Sequence, residues 1–443
     1  MRDLAFIGFL AALIGLGFRR PFLFVLAYVY IDVVSPQRLT YYLLNTVSVS
    51  MYAGLLAIGA WALVDDKRGL RVAPRQLLLL ALLGYCWATT VNADFRLEAE
   101  FKWDWVWKSL VFAAFLPLTL RTRLRIESLL LFMTLSVGSI VIVGGIKTLA
   151  GGGGYGQLNL MVDNNTGLYE SSIISAVAIA VVPVILWLAK HGTVFPPDSR
   201  VRTFAYALCF ACLLMPIGTS ARTGLLCIGL LAVLMLREVK RRVLYLGLLA
   251  AMGAAAVPLI PSAVTERAGT IRDYQTDESA STRLAVWRWT LDYVKDKPFG
   301  GGFEAYRQNR VMYQVQDKDG DAGGTVVDQA RAYHSSYFEM LGEQGWPGLA
   351  IWLLIHLGGV FRMEVLRRRH RDGELAWAGS LAGALQHAHL IYLLGSAFTG
   401  IALNPFIYLF VGAQIGLDLY LSRRRSEQPM RPMRAEPTEL AAA

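Results

Sequence analysis

The chain has 443 residues, of which 55% are hydrophobic and 17% are charged. A soluble domain carries about 25% charged residues, so the composition excludes an ordinary soluble protein and indicates a polytopic membrane protein. The formal net charge of +10 could suggest nucleic-acid binding. The basic residues cluster, however, in short connections between apolar segments, and we predict no nucleic-acid partner.

Apolar segments follow one another from residue 4 to residue 421. They predict an all-α integral membrane protein with about 12 transmembrane helices. Every second connection is basic, which places these connections and the C-terminus in the cytoplasm. The predicted domains are an N-terminal transmembrane bundle, central transmembrane helices, a large outward-facing loop, C-terminal transmembrane helices and a disordered cytoplasmic tail, at residues 1–150, 151–260, 261–345, 346–425 and 426–443 respectively.

The outward-facing loop is the largest polar segment between apolar runs, and it ends at His334, where the next run begins. Residues 281–291 predict an amphipathic helix, because Leu284, Trp287 and Leu291 recur at i, i+3 and i+7. Pro298 and the glycines after it are expected to end this helix. The arginine-rich loop is therefore where we expect the chemistry.

His334 and Arg222 are the first candidates for that chemistry. His334 lies at the junction of loop and membrane, where the alternative role is interfacial anchoring. Arg222 follows a short turn, and an arginine near membrane depth is costly enough to suggest a function, with snorkelling to the interface as the alternative. A neutral histidine can take a proton from a nucleophile, while arginines hold a phosphate-like leaving group.

Arg283 and Arg288 lie on the predicted loop helix, roughly 140° apart around its axis. We therefore expect one of them to contact an anion while the other packs or forms an ion pair. The acidic run at residues 317–321 favours a solvated turn over a calcium site. No metal site and no cofactor are predicted.

Several short motifs occur in a fixed order between residues 160 and 405: Ser220–Gly224, Arg283 with Trp287, Pro298 with Gly300 and Gly302, His334 with Ser335, and Glu343–Gly348. This order resembles the O-antigen ligase and polymerase superfamily of bacterial envelope enzymes. Two positions depart from the family pattern, because Ala221 separates a serine from the arginine and Ser335 replaces an asparagine. The triplet 163–165 and the tryptophan-rich N-terminal half resemble the branch of exosortase-associated O-glycosylation ligases.

The resemblance implies roles for individual residues. His334 corresponds to the general base of the family, and Arg222 and Arg283, with Arg288 less directly, correspond to the arginines that bind pyrophosphate. Supporting roles are implied for Asn165, Tyr337 and Glu343.

The resemblance also implies a function and a location. We expect a GT-C-like, metal-independent and inverting glycosyltransferase of the bacterial inner membrane, in contact with membrane lipid and with its active site in the periplasmic loop. The first expectation is an O-antigen ligase that transfers a glycan from undecaprenyl pyrophosphate to lipid A-core. A protein O-oligosaccharyltransferase and a polysaccharide polymerase remain open alternatives. A transporter or flippase for the same lipid-linked glycan is the alternative from another class, although the sequence lacks the clear internal repeat typical of transporters.

Overall fold

The computed structural model describes residues 2–40, 43–44, 47–156, 158, 167–237, 278–316 and 322–427. Helices dominate these ranges. The N-terminal helices are α1 Arg2–Gly17, α2 Phe22–Val34, α3 Pro36–Leu39, α4 Val49–Val64, α5 Pro74–Val91, α6 Arg96–Thr119 and α7 Arg123–Gly151. The later helices are α8 Ser171–His191, α9 Ser199–Gly218, α10 Arg222–Leu236, α11 Glu278–Asp296, α12 Ser336–Arg369, α13 Ala376–Ser396 and α14 Pro405–Glu427.

The chain is a helical protein that can cross a membrane several times. Within the described residues, five helices are long and apolar enough to span a bilayer, namely α7, α8, α9, α12 and most of α14, and four shorter apolar helices accompany them. The figure of about 12 spans therefore stays a prediction. In the sequence, residues 92–105 lie between two apolar runs and predict a connection between helices, but α6 already begins at Arg96.

The core of the bundle is built around α8. Its apolar side chains are almost all buried, and it packs against α7, α9, α10 and α13. Helix α14 packs against α6 and α12, so the N-terminal and C-terminal parts of the chain share one core. A buried polar contact joins α12 to α13, where His356 Nδ1 lies 2.9 Å from His389 Nε2.

The loop that we predict to face outward contains secondary structure between residues 278 and 334. Helix α11 extends the predicted amphipathic helix at both ends and stops before Pro298, as expected. A short 3₁₀ turn, Ala305–Gln308, leads into an antiparallel hairpin of β1 Arg310–Gln316 and β2 Ala322–Gln329. Our prediction of an all-α protein did not include this hairpin. The acidic run between the strands lies outside the described residues.

Helix α12 is broken near its N-terminal end. Gly345 has φ 62° and ψ −168°, so the residues before it form a separate short helix that ends against the loop. Trp346 N donates to Pro298 O at 3.0 Å. A Cβ on Gly345 would meet Pro298 O at 2.3 Å, and one on Gly300, which has φ 84°, would meet Glu343 O at 2.4 Å. Only glycine permits this approach and these backbone angles, so the two glycine motifs of the sequence form one packed unit.

Candidate functional site

His334 occupies a bend between β2 and the first turn of α12. Its backbone is left-handed, with φ 47°, which is unusual for any residue except glycine. The residue is accessible to solvent, although neighbouring groups surround part of its ring. Desolvation and the positive charges of Arg283 and Arg331 lower the pKa of His334, although the carboxylate of Glu170 opposes them. The imidazole is therefore mainly neutral at neutral pH and can accept a proton.

Helix α11 brings Arg283 to His334. The Trp287 ring stacks on Phe338 with 4.8 Å between centroids and an interplanar angle of 5°, and its Nε1 donates to Tyr333 O at 2.9 Å. Arg283 lies one helical turn before Trp287, on the same side of the helix. The spacing of arginine and tryptophan in the sequence thus places a half-buried guanidinium within electrostatic range of the histidine.

A small hydrophobic cluster holds this arrangement together. Val286 of α11, Val311 of β1 and Tyr333 are all buried against one another. Because the cluster joins the helix, the hairpin and the residue before His334, these three elements form one layer over the helical bundle. Arg288 is exposed on α11, turned roughly 140° around the axis from Arg283.

Arg222 is the first residue of α10 and is exposed at its N-terminal end. The turn before it is tight, since Ser220 has φ 52° and Ala221 N donates to Pro216 O at 3.0 Å. Helix N-termini attract anions through their unpaired N–H groups and dipole. Helix α10 packs against α8, whose N-terminal cap, Glu170, acts electrostatically on His334.

The three residues with predicted supporting roles differ in position. Glu343 is completely buried, and both of its carboxylate oxygens accept hydrogen bonds from Lys102 Nζ, at 2.9 and 2.8 Å. Tyr337 is half-buried and its hydroxyl donates to Leu393 O at 3.2 Å, across to α13. Both positions indicate a role in holding the site rather than in contact with a substrate. Asn165 lies outside the described residues.

Sequence reasoning missed three residues around the site: Glu170, Lys102 and Asp94. Glu170 caps α8 by accepting from Ile173 N at 2.9 Å, and it is the anionic group that acts on His334. Lys102 could have been found, because a lysine at the start of an apolar helix needs a partner. Asp94 carried no comparable signal, since it lies in a short polar turn.

Within the described residues, no three histidine, cysteine, aspartate or glutamate side chains form a group that could bind a metal ion. A cavity of about 400 Å³ lies between α5 and α6, lined by apolar and aromatic side chains such as Trp87, Trp103 and Trp107. It contains none of the candidate residues, so the site is defined by the loop and not by this cavity.

Two family models match the chain. Residues 207–353 match the family described as O-antigen ligase, and this range includes His334, Arg222 and Arg283. Residues 1–193 match a family of unknown function, and this range includes Asp94 and Lys102. No curated protein matches the chain.

Proposed function

The chain belongs to the O-antigen ligase and polymerase superfamily through its domain at residues 207–353, and on this premise we propose that it is an O-antigen ligase. It transfers a glycan from undecaprenyl pyrophosphate to a hydroxyl of lipid A-core. The reaction takes place on the periplasmic side of the bacterial inner membrane, and the C-terminus is cytoplasmic.

One observation carries this proposal: in the loop of the ligase domain, desolvation and the positive charge of Arg283 together lower the pKa of His334. A neutral imidazole suits a general base, and a guanidinium suits a pyrophosphate oxygen. The two groups thus supply what a glycosyl transfer needs, a proton acceptor for the nucleophile and a positive charge for the leaving group.

In the proposed mechanism, His334 accepts the proton of the acceptor hydroxyl as its oxygen attacks the anomeric carbon. The bond between that carbon and the pyrophosphate oxygen breaks, and the electron pair leaves with undecaprenyl pyrophosphate. Arg283 and Arg222 stabilise the charge on the leaving pyrophosphate through charge-assisted hydrogen bonds. A single displacement of this kind inverts the anomeric configuration. Arg288 is a further and less direct contact with the pyrophosphate, and Asn165 has a supporting role.

The acceptor is the least constrained part of the proposal, because lipid A-core, a protein side chain and a growing polysaccharide all present a hydroxyl. A deletion strain distinguishes them. We expect it to lose long-chain lipopolysaccharide while keeping glycoproteins and exopolysaccharide, and to recover on complementation with the wild-type chain but not with His334→Ala. Loss of glycoprotein or of exopolysaccharide instead would assign the protein to the corresponding alternative. Loss of the glycan product with the lipid-linked glycan retained on the cytoplasmic face would favour a flippase, because a strain that lacks only the ligase accumulates this donor on the periplasmic face.

A further inference from the structure

The N-terminal region of unknown function contacts the loop of the ligase domain at the turn between α5 and α6. Asp94 lies in this turn, and its backbone N–H donates to Gly301 O at 2.8 Å. Its carboxylate accepts a hydrogen bond of 2.6 Å from the Tyr293 hydroxyl and forms an ion pair with Lys297. One aspartate thus binds both the end of α11 and the glycine turn that follows it.

A second contact lies deeper, at Lys102 of α6. The ammonium group is 2.7 Å from Glu339 Oε1 and 2.8 Å from Glu343 Oε2, and all three side chains are largely buried. One lysine therefore pairs with two carboxylates of the short helix that precedes Gly345. A buried carboxylate without a cation is strongly disfavoured, so the position of this short helix depends on Lys102.

Both carboxylates are tied to the backbone around them. Glu343 Oε1 accepts from Glu304 N at 3.1 Å, and Glu339 Oε2 accepts from Ala402 N at 3.2 Å. Lys102 thereby links α6 to the loop and to the turn before α14. We call Asp94, Lys102 and these two glutamates the clamp.

The clamp is connected to the residues on both sides of His334. Glu339 belongs to the first turn of α12, and its backbone N–H donates to Ser335 O at 2.8 Å. Tyr333 packs over Gly342 so closely that a Cβ there would meet the tyrosine hydroxyl at 2.2 Å. The residues on both sides of His334 are therefore held by the helix that Lys102 fixes. A left-handed backbone at a non-glycine residue persists only where its surroundings enforce it.

We propose that Lys102 is a positioning residue for glycan transfer, and that the N-terminal region of unknown function serves to hold His334 against Arg283. The inference rests on the proposed function, because it assigns Lys102 to the reaction of His334. Lys102 acts through the two glutamates and touches neither donor nor acceptor.

The test compares turnover with donor affinity in full-length protein reconstituted in phospholipid nanodiscs. Lys102→Met leaves two buried carboxylates without a cation, so its folding is at risk. The triple variant Lys102→Met with Glu339→Gln and Glu343→Gln removes all three charges and keeps the amide oxygens as acceptors. We expect this variant to lose roughly tenfold to a hundredfold in kcat, because a displacement of about 1 Å can cost a factor of 10². The affinity of this variant for undecaprenyl pyrophosphate should stay within about twofold of the wild-type affinity. The single variant Lys102→Arg keeps a positive charge at this position and should therefore keep much of the wild-type kcat.

The matched control is Arg96→Met, which breaks the exposed pair of Arg96 and Glu100 on the same helix and should keep wild-type kcat. The pH profile separates positioning from mere loss of folded protein. When His334 is released from Arg283, its pKa should rise towards that of an ordinary histidine, while Glu170 and Arg331 remain in place. The acid limb of kcat/KM should therefore move to higher pH. A reduced amount of active protein with an unmoved acid limb would overturn the proposal, as would wild-type kcat in the triple variant.

The clamp and the proposed function can fail separately. If His334→Ala transfers glycan at the wild-type rate, the proposed base is wrong. If His334→Ala is inactive while the triple variant is normal in kcat and pH profile, only the clamp is wrong.

Discussion

Replacing His334 by glycine should stabilise the protein relative to alanine while it abolishes transfer. The backbone at this position has φ 47°, and for an alanine such a left-handed conformation costs roughly 1–2 kcal/mol. Glycine avoids this cost but loses about 0.4–1 kcal/mol through the greater freedom of its unfolded chain. The difference leaves His334→Gly about 1 kcal/mol more stable than His334→Ala. Both variants lack the imidazole, so both should lose a factor of about 10²–10⁴ in turnover.

The assay is thermal unfolding of the two purified variants in the same detergent, together with transfer from an undecaprenyl-pyrophosphate-linked glycan. A gain of about 1 kcal/mol corresponds to a rise of roughly 1–2 °C in melting temperature for a chain of this size. The matched control is Asp292, an exposed position within α11, where glycine should be less stable than alanine by about 1 kcal/mol. A glycine variant at His334 that melts below the alanine variant would show that the backbone there is not strained. Retained transfer in either variant would remove His334 from the mechanism.

Four further predictions follow from the site. Because the neutral imidazole is the active form, kcat/KM should rise with pH through the pKa of His334; Glu170→Gln removes a charge that raises this pKa, so the acid limb should move to lower pH. Arg222→Ala and Arg283→Ala should weaken binding of undecaprenyl pyrophosphate, and lysine at either position should restore only part of it, since a point charge lacks the bidentate fork. Transfer should continue in EDTA, because the arginines are the proposed charge neutralisers; activity restored by one specific divalent metal would contradict this. In intact spheroplasts, an impermeant thiol reagent should label single cysteines at the exposed positions Leu97 and Gln308. It should not label single cysteines at the exposed positions Gly69 and Gly373.

The sequence predicted the parts of the site that depend on local pattern. The spacing of Leu284, Trp287 and Leu291 predicted α11, because a helix 278–296 places all three on one side. Pro298 and the glycines ended it as expected. The ordered motifs predicted the O-antigen ligase domain, which the family match confirms. The sequence is sufficient to predict such features because each of them depends only on residues that are close to one another in the chain.

Two local signals were present but misread. Residues 96–105 looked like an outward connection because they are rich in charges, yet Arg96 with Glu100 and Asp104 with Lys108 are pairs at i, i+4, which support a helix. In β1, apolar and aromatic residues alternate at Val311, Tyr313 and Val315, the period of a strand. The neighbouring residues in the sequence are polar and include several glycines, so this short alternation was not recognised as a strand.

The contacts between distant parts of the chain were beyond sequence reasoning of this kind. Lys102 is separated from Glu339 and Glu343 by more than 200 residues, and no periodicity connects them. Glu170 acts on His334 from the cap of another helix. Such pairings depend on how helices pack, and each helix alone is compatible with many arrangements.

Glu343 illustrates why a motif residue needs its surroundings before it is given a role. In the sequence, Glu343 precedes two spaced glycines of a ligase-like motif, and the resemblance implies only a supporting role for it. In the structure it is buried, and the side chain that neutralises it comes from the N-terminal region. Because a buried carboxylate without a cation is costly, a ligase domain joined to a different N-terminal region would need another positive charge at this place. The carboxylate of Glu343 thus connects the N-terminal region to the domain that carries the proposed base, and this contact is the reason why we propose that the N-terminal region positions that base.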